Sequence, residues 1–343
     1  MNYIVTGCSG FIGTHLVASL AKHGDGGVLL SRSAPKLVPE GFQWVHWQAG
    51  QPAAIPTPPE DACLVHLAAK HHVPDPRSAD VRTFQEVNVR ATRQLLEDGS
   101  RLNIRRFIYF STIKAAGPKL FERHQSGSGS PRQEMDPESV VPETPYGRSK
   151  REAELWVEKW AQAMPERSAA ILRPAVVYGP GNTANIYSLV EAIDRGRFFL
   201  AGNNHNIKSL VSVANVAAAV QHLAAGMSFG CQTYYVTDRE NYSMRELAGL
   251  LVELLNVHRP LLTLPVPLLR VLALVGDGLT RLTGWRAPID GTRLSALIET
   301  TWFSCDKLMA TGFRHPQTTR EGLAEMVEWY LRELADKRPT APS

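Results

Sequence analysis

Two kinds of apolar spacing alternate along most of this chain. Tyr3, Ile4 and Val5 form an unbroken apolar run, and Phe11, Ile12, Leu16, Val17 and Leu20 then recur at helical spacing. The pattern predicts a buried strand, a turn and a helix. Similar apolar runs at 28–30, 42–47, 63–69, 106–111, 169–172, 210–213 and 233–236 read as further strands. Helical spacing at 79–99, 145–160, 186–195 and 215–225 separates several of them. Strands that are apolar throughout need cover on both faces, so the prediction is an α/β fold with a doubly wound parallel sheet. Beyond 243 the pattern is helical, at 244–255, 265–282 and 319–334, which predicts a smaller, mainly helical C-terminal lobe for substrate. The expected division is a sheet domain over 1–175 with 207–238 returning to it. A lobe over 176–206 and 239–336 and a disordered tail from Lys337 complete it.

The turn after the first strand reads Thr6-Gly7-Cys8-Ser9-Gly10-Phe11-Ile12-Gly13. Glycine at 7 permits a tight turn, glycine at 10 lets backbone approach a pyrophosphate, and glycine at 13 lets the helix pack closely on the strand. The helix N-terminus then faces the anion. Strand, glycine turn and helix in that order predict a Rossmann-type site for NAD or NADP. The second strand ends at Ser31-Arg32-Ser33 rather than at an acidic residue, and a guanidinium beside hydroxyls suits a 2′-phosphate, which tilts the expectation slightly to NADP.

Composition narrows the partners. A chain of 343 residues with 44% hydrophobic and 20% charged residues can bury a large core. Its net charge of +4 includes no long basic run, so no nucleic-acid partner is expected, while an anionic small molecule is compatible. The four cysteines, at 8, 63, 231 and 305, show neither CxxC pairing nor metal-ligand spacing, so no metal and no disulfide are expected. With no signal peptide read at the start, the expected location is the reducing cytoplasm. The most apolar stretch, 261–275, carries Arg270 and two prolines and is too short to span a bilayer. The oligomeric state stays open, a homodimer being compatible.

Chemistry is carried by three groups. Thr112 follows a strand, where parallel sheets bind ligands, and Tyr146 and Lys150 lie four apart on one helix face behind Thr144-Pro145. In hydride transfer at a carbinol, Tyr146 moves the proton, Lys150 favours the phenolate by its charge, and Thr112 orients the same oxygen. His66, in an apolar strand, reads as a hydrogen-bonded core histidine. Residues 122–140 read as a polar loop.

The chain resembles the extended short-chain dehydrogenase/reductase superfamily, in its nucleotide-sugar epimerase, dehydratase and ketoreductase branch, over nearly its whole length. The residues that carry the likeness are Thr6–Gly13 (TGxxGFIG), Cys63–Ala69 (a strand ending HLAA), Asn88–Thr92 (NVxGT), Tyr146–Lys150 (YGxSK) and Leu172–Pro180 (LRPxxVYGP). The likeness implies Thr112, Tyr146 and Lys150 as catalytic residues. It implies cofactor contacts at Gly7, Ser9, Gly10, Phe11, Ile12, Ser31, Arg32, Gln48, Leu67, Ala68, Ala69, Asn88, Pro174 and Val176, besides Tyr146 and Lys150. Substrate contacts are implied at Lys70, His71, Thr112, Ile113, Asn185 and Lys208.

Departures sharpen the expectation. The dehydratases of that branch follow the threonine with an acidic pair, and Ile113-Lys114 stand here instead, which disfavours dehydration. Gln48 stands where several members have an aspartate, Val176 where some epimerases have an asparagine, and Lys208 where relatives grip a diphosphate with arginine. The expected reaction is reduction or 4-epimerisation at the C4 hydroxyl or ketone of a nucleotide-diphosphate hexose, with reduction slightly favoured. A 3β-hydroxysteroid or lipid dehydrogenase, suggested by apolar 265–275, and a non-catalytic NAD(P)-binding regulator are the alternatives.

Overall fold

The computed structural model describes residues 1–56, 58, 61–70, 81–116, 141–202, 204–283 and 291–336. His71, the 122–140 loop and the tail from Lys337 lie outside the described residues. The chain divides into two compact units, the first made of Met1–Val177, Val211–Thr237 and Ser304–Gln317.

Seven parallel strands build the first unit: β1 (Asn2–Thr6), β2 (Gly26–Ser31), β3 (Phe42–His46), β4 (Cys63–His66), β5 (Arg106–Phe110), β6 (Ser168–Pro174) and β7 (Gly230–Val236). Their order across the sheet is β7-β6-β5-β4-β1-β2-β3. The order reverses at β1, which pairs in parallel with both β2 and β4, so the ligand crevice of such a fold opens beside the carboxyl end of β1. This is the Rossmann-type arrangement that the alternating pattern predicts.

Helices cover both faces because each contributes an apolar stripe. On one face, α1 (Phe11–Lys22) brings Leu16, Val17 and Leu20, and an alanine-rich helix, Val213–Gly226, brings Val216, Ala217 and Val220. On the other lie α2, spanning 81–101, with Ala91, Leu95 and Leu96, and α3 (Pro145–Gln162), with Ala153, Val157 and Trp160. Helix α2 is not uniform, since Gln85–Arg90 is π-helical between two α-helical stretches. Ser304–Gln317, which the sequence pattern leaves in the lobe, belongs to this unit, where Leu308 and Phe313 join the core.

The second unit comprises Tyr178–Leu210, Asp238–Phe303 and the segment from Thr318. It is mainly helical, with helices Asn185–Asp194, Met244–Leu254, Val266–Thr283, Gly291–Ile298 and Thr319–Asp336. Ser243 and Glu246 close a capping box at the start of the second of these. The buried Tyr178 hydroxyl donates to Asp238 at 2.7 Å, and the Tyr330 hydroxyl donates to Asp194 at 2.9 Å, tying distant segments together. Among the described residues no helix is long and apolar enough to cross a membrane.

Candidate active site

The three glycines of the first turn do different work. Gly7 has φ +70°, and a Cβ there would lie 2.7 Å from the backbone nitrogen of Ala68, so the turn runs directly against the chain leaving β4. A Cβ on Gly13 would lie 2.2 Å from the Gly7 carbonyl oxygen, which fixes how closely α1 packs on the turn. Gly10 is the extended N-cap of α1, and no side chain caps the helix. The first N–H groups of α1 therefore keep their donors for an anion at the positive end of the helix dipole. Ser9 and Gly10 are exposed and Phe11 and Ile12 half-buried around this cradle, which fits a dinucleotide pyrophosphate.

At the end of β2 the Ser31 hydroxyl donates to the Ser33 carbonyl and accepts from the Trp44 indole N–H, while Arg32 is exposed. Gln48, just after β3, is also exposed. Leu67, Ala68 and Ala69 leave β4 half-buried, with the Ala68 N–H donating to the Thr6 hydroxyl.

His66 sits beneath this edge as a core residue. The Thr92 hydroxyl donates to the Asn88 carbonyl at 2.6 Å, so at the His66 contact it accepts, from Nε2 at 3.0 Å; Nδ1 then accepts from the Thr6 hydroxyl at 2.7 Å. Burial holds the imidazole neutral, down to about 3, with the Lys150 charge adding to the effect. Asn88 is bonded to the chain leaving β4. Its Oδ1 accepts from the Lys70 N–H, and its Nδ2 donates to the Lys70 carbonyl and to the Ser149 hydroxyl. These bonds use both amide hydrogens and one lone pair of Oδ1, so Asn88 clamps the chain after β4.

Thr112, Tyr146 and Lys150 come together. Thr144 caps α3 by accepting the Gly147 N–H at 3.0 Å, and Pro145 opens the helix, which places Tyr146 in its first turn. Thr112 follows β5 and leads a 3₁₀ turn, Ile113–Ala116, accepting the Lys114 N–H. The Thr112 hydroxyl lies near enough to the Tyr146 phenol to act on its ionisation. Lys150 is buried one turn along α3, its Nζ lying 4.3 Å from the centroid of the Tyr109 ring.

The electrostatics depart from the expected lowering of Tyr146 by Lys150. Burial pushes the phenol up to about 12, with Thr112 as the opposing influence. Burial also draws Lys150 down to about 7, against the pull of Glu154. Desolvation wins at both groups, so a phenolate at Tyr146 needs more positive charge nearby than these side chains supply.

Glu154, one further turn along α3, is missed by motif reading. Fully buried, it accepts from the Ser111 hydroxyl, from Arg151 at 2.9 Å, and from two nitrogens of Arg173 at 2.9 and 2.7 Å. Arg173 in turn donates to the Tyr235 hydroxyl. The network pins β5, β6, β7 and α3 beside Thr112, and its donors hold the carboxyl below the usual range despite burial. An acidic residue between Ala153 and Val157, on the apolar face of α3, was its visible signal.

The remaining expected contacts differ in burial. Pro174 is buried at the end of β6 and Val176 half-buried after it, Ile113 is buried in the 3₁₀ turn, and Lys70 is exposed. In the second unit, Asn185 is exposed at the first position of its helix. Half-buried Lys208 donates through Nζ to the Glu299 carbonyl, and burial lowers it to about 8.

Residues 3–230 match the NAD dependent epimerase/dehydratase family. The chain belongs to this family. Among curated relatives, an undecaprenol-linked N-acetylglucosaminyl-diphosphate 4-epimerase of Escherichia coli O157:H7 is 27% identical over 330 residues, covering 96% of this chain and 95% of the relative. UDP-glucose 4-epimerase of Vibrio cholerae is 29% identical over 341 residues, covering 96% and 95%. Among solved structures, the UDP-glucose 4-epimerase of Thermotoga maritima with UDP-glucose superposes with a TM-score of 0.69 at 21% identity, covering 97% of this chain and all of that one, a likeness of fold. The NAD dependence in the family's description agrees with the uncapped glycine turn at the start of α1.

Proposed function

We propose that this chain is an NAD(P)-dependent 4-epimerase that oxidises and re-reduces C4 of a hexose carried on a diphosphate. A nucleotide diphosphate is the first carrier to test. The observation that carries the reading is that the turn led by Thr112 packs against the helix turn bearing Tyr146, with Lys150 buried one turn on, in a family whose model matches most of the chain. The 4-epimerase relatives, on UDP and on undecaprenol diphosphate, support C4 as the reacting position.

The bound dinucleotide supplies the hydride acceptor and donor. Tyr146 takes the proton of the C4 hydroxyl as the carbinol is oxidised, and it returns that proton as the ketone is reduced on its opposite face. Thr112 holds the C4 oxygen in line with the phenol. Gly7, Gly10 and Gly13 seat the pyrophosphate, and Lys150 adds positive charge below the phenol.

The test is incubation of the purified chain with UDP-glucose and with UDP-N-acetylglucosamine, following the C4 epimers by proton NMR without added NAD(P)H. Interconversion supports the proposal. Consumption of NADPH with a 4-keto-sugar and no epimer exchange favours a ketoreductase instead, a reading supported by the protonated state of buried Tyr146, which suits an acid, and by exposed Arg32. For Arg32 the expected result of Arg32→Asp is a loss of NADP affinity about tenfold larger than any loss for NAD, and equal losses would remove its role.

A further inference from the structure

Helix Val266–Thr283 presents two apolar faces, one buried and one exposed. Leu269 and Ala273 are buried against Ala201 and Leu294, with Phe199, Leu264 and Ile298 alongside. On the far side Leu268, Val271, Leu272, Val275 and Leu279 follow spacings of three and four and form one stripe, with Leu274 on its flank. All six are exposed, Leu274 at 72% and Val271 at 58%. Among the described residues these six, with Leu262 at 66% in the preceding strand, make seven of fifteen exposed large apolar side chains. A monomer's surface does not ordinarily concentrate such residues on one helix without a use for them.

We propose that this helix docks the protein on an anionic membrane surface, lying in the plane of the interface. The helix does not qualify as a membrane span, which leaves the in-plane mode. Charge agrees with an anionic surface: from Asn256 to Thr283 the sequence carries Arg259, Arg270 and Arg281 against Asp277 alone. Arg259 and Arg270 are exposed, whereas Asp277 is half-buried and accepts the Gly291 N–H. The same cations disfavour a second copy as the occupant, since a two-fold contact on this stripe would bring the exposed arginines of both copies together. An interfacial helix needs only a stripe that sinks about 5–10 Å into the headgroup boundary, flanked by cations. The proposal is independent of the sugar chemistry.

The experiment is sedimentation of the full chain with sucrose-loaded vesicles, of phosphatidylcholine alone or mixed equally with phosphatidylglycerol. The chain is expected to pellet with the mixed vesicles, to be released by high salt, and to bind phosphatidylcholine alone more weakly. Leu274→Asp with Val275→Asp should weaken partitioning at least tenfold while thermal unfolding and epimerase or reductase turnover stay unchanged. Leu268→Ser with Leu279→Ser provides the same reading should the first pair fold poorly. Arg270→Glu should weaken binding to the mixed vesicles alone. Failure of the unsubstituted chain to pellet, or equal pelleting of the apolar variants, overturns the proposal. Self-association in sedimentation velocity that the Leu274→Asp, Val275→Asp variant abolishes, without vesicle binding, assigns the stripe to a second copy and overturns it as well.

Discussion

A Cβ placed on Gly147 would lie 2.5 Å from the carbonyl oxygen of Lys114. The residue after Tyr146 is therefore where α3 meets the turn led by Thr112, and the missing side chain sets how near the two hydroxyls can come. Gly147→Ala should force the segments apart by several tenths of an ångström and lower turnover ~100-fold through misplacement. Cofactor affinity, read by fluorescence titration, should change little, because the cradle at Gly7–Gly13 is untouched. Unchanged turnover would mean that the contact does not govern the site.

Tyr146→Phe keeps the ring and removes the hydroxyl, so turnover should fall by ~100 to 10,000-fold with cofactor still bound. Thr112→Ser should be mild and Thr112→Val severe. Ultraviolet titration of the cofactor-free chain, compared with Tyr146→Phe, should place this phenol near its raised value of about 12. Adding oxidised cofactor should lower it, because a positive charge then faces the phenol. A Tyr146→Phe enzyme with near-normal turnover sinks the mechanism.

Glu154→Gln should destabilise the fold by about 3–5 kcal/mol in urea unfolding, since Arg173 would remain buried without a counter-charge. Adding Arg173→Met should recover part of the loss. If the two substitutions were instead simply additive, the network would not be acting as a unit.

His66 has a folded-state pKa of about 3 against an ordinary 6.5, so the unfolded chain takes the proton first as pH falls. Its contribution to stability is complete above pH 6.5 and is lost as pH drops from there toward 3, at roughly 1.4 kcal/mol per pH unit within the window. His66→Gln should flatten the dependence of unfolding free energy on pH between those limits. An unaltered slope would show that other groups dominate acid unfolding.

The sheet and its glycine turn were legible because both are local: apolar runs mark buried strands, and three glycines with one spacing mark one turn. Tyr146 and Lys150 were legible for the same reason. Glu154 was not, because its partners Ser111 and Arg173 come from two other strands that no spacing rule connects to α3. Asn88 was read through its motif as a cofactor contact, and nothing in the motif shows that it also clamps Lys70. Lys208 was read as a charge partner for a diphosphate, and nothing near it in sequence shows that folding brings the Glu299 carbonyl to it from 91 residues away.

The π-helical stretch Gln85–Arg90 bears on how this protein could change over generations. A π turn takes up one more residue than an α turn while leaving the helix on either side facing as before. Phe84 before it and Leu95 and Leu96 after it are all buried. A descendant that lost one residue here could keep those three in the core and still fold, but Asn88 would no longer bulge toward Lys70 and Ser149. The core and the clamp are thus separable by a single codon, so an intact core in a shortened relative would be no guarantee of a working edge to β4.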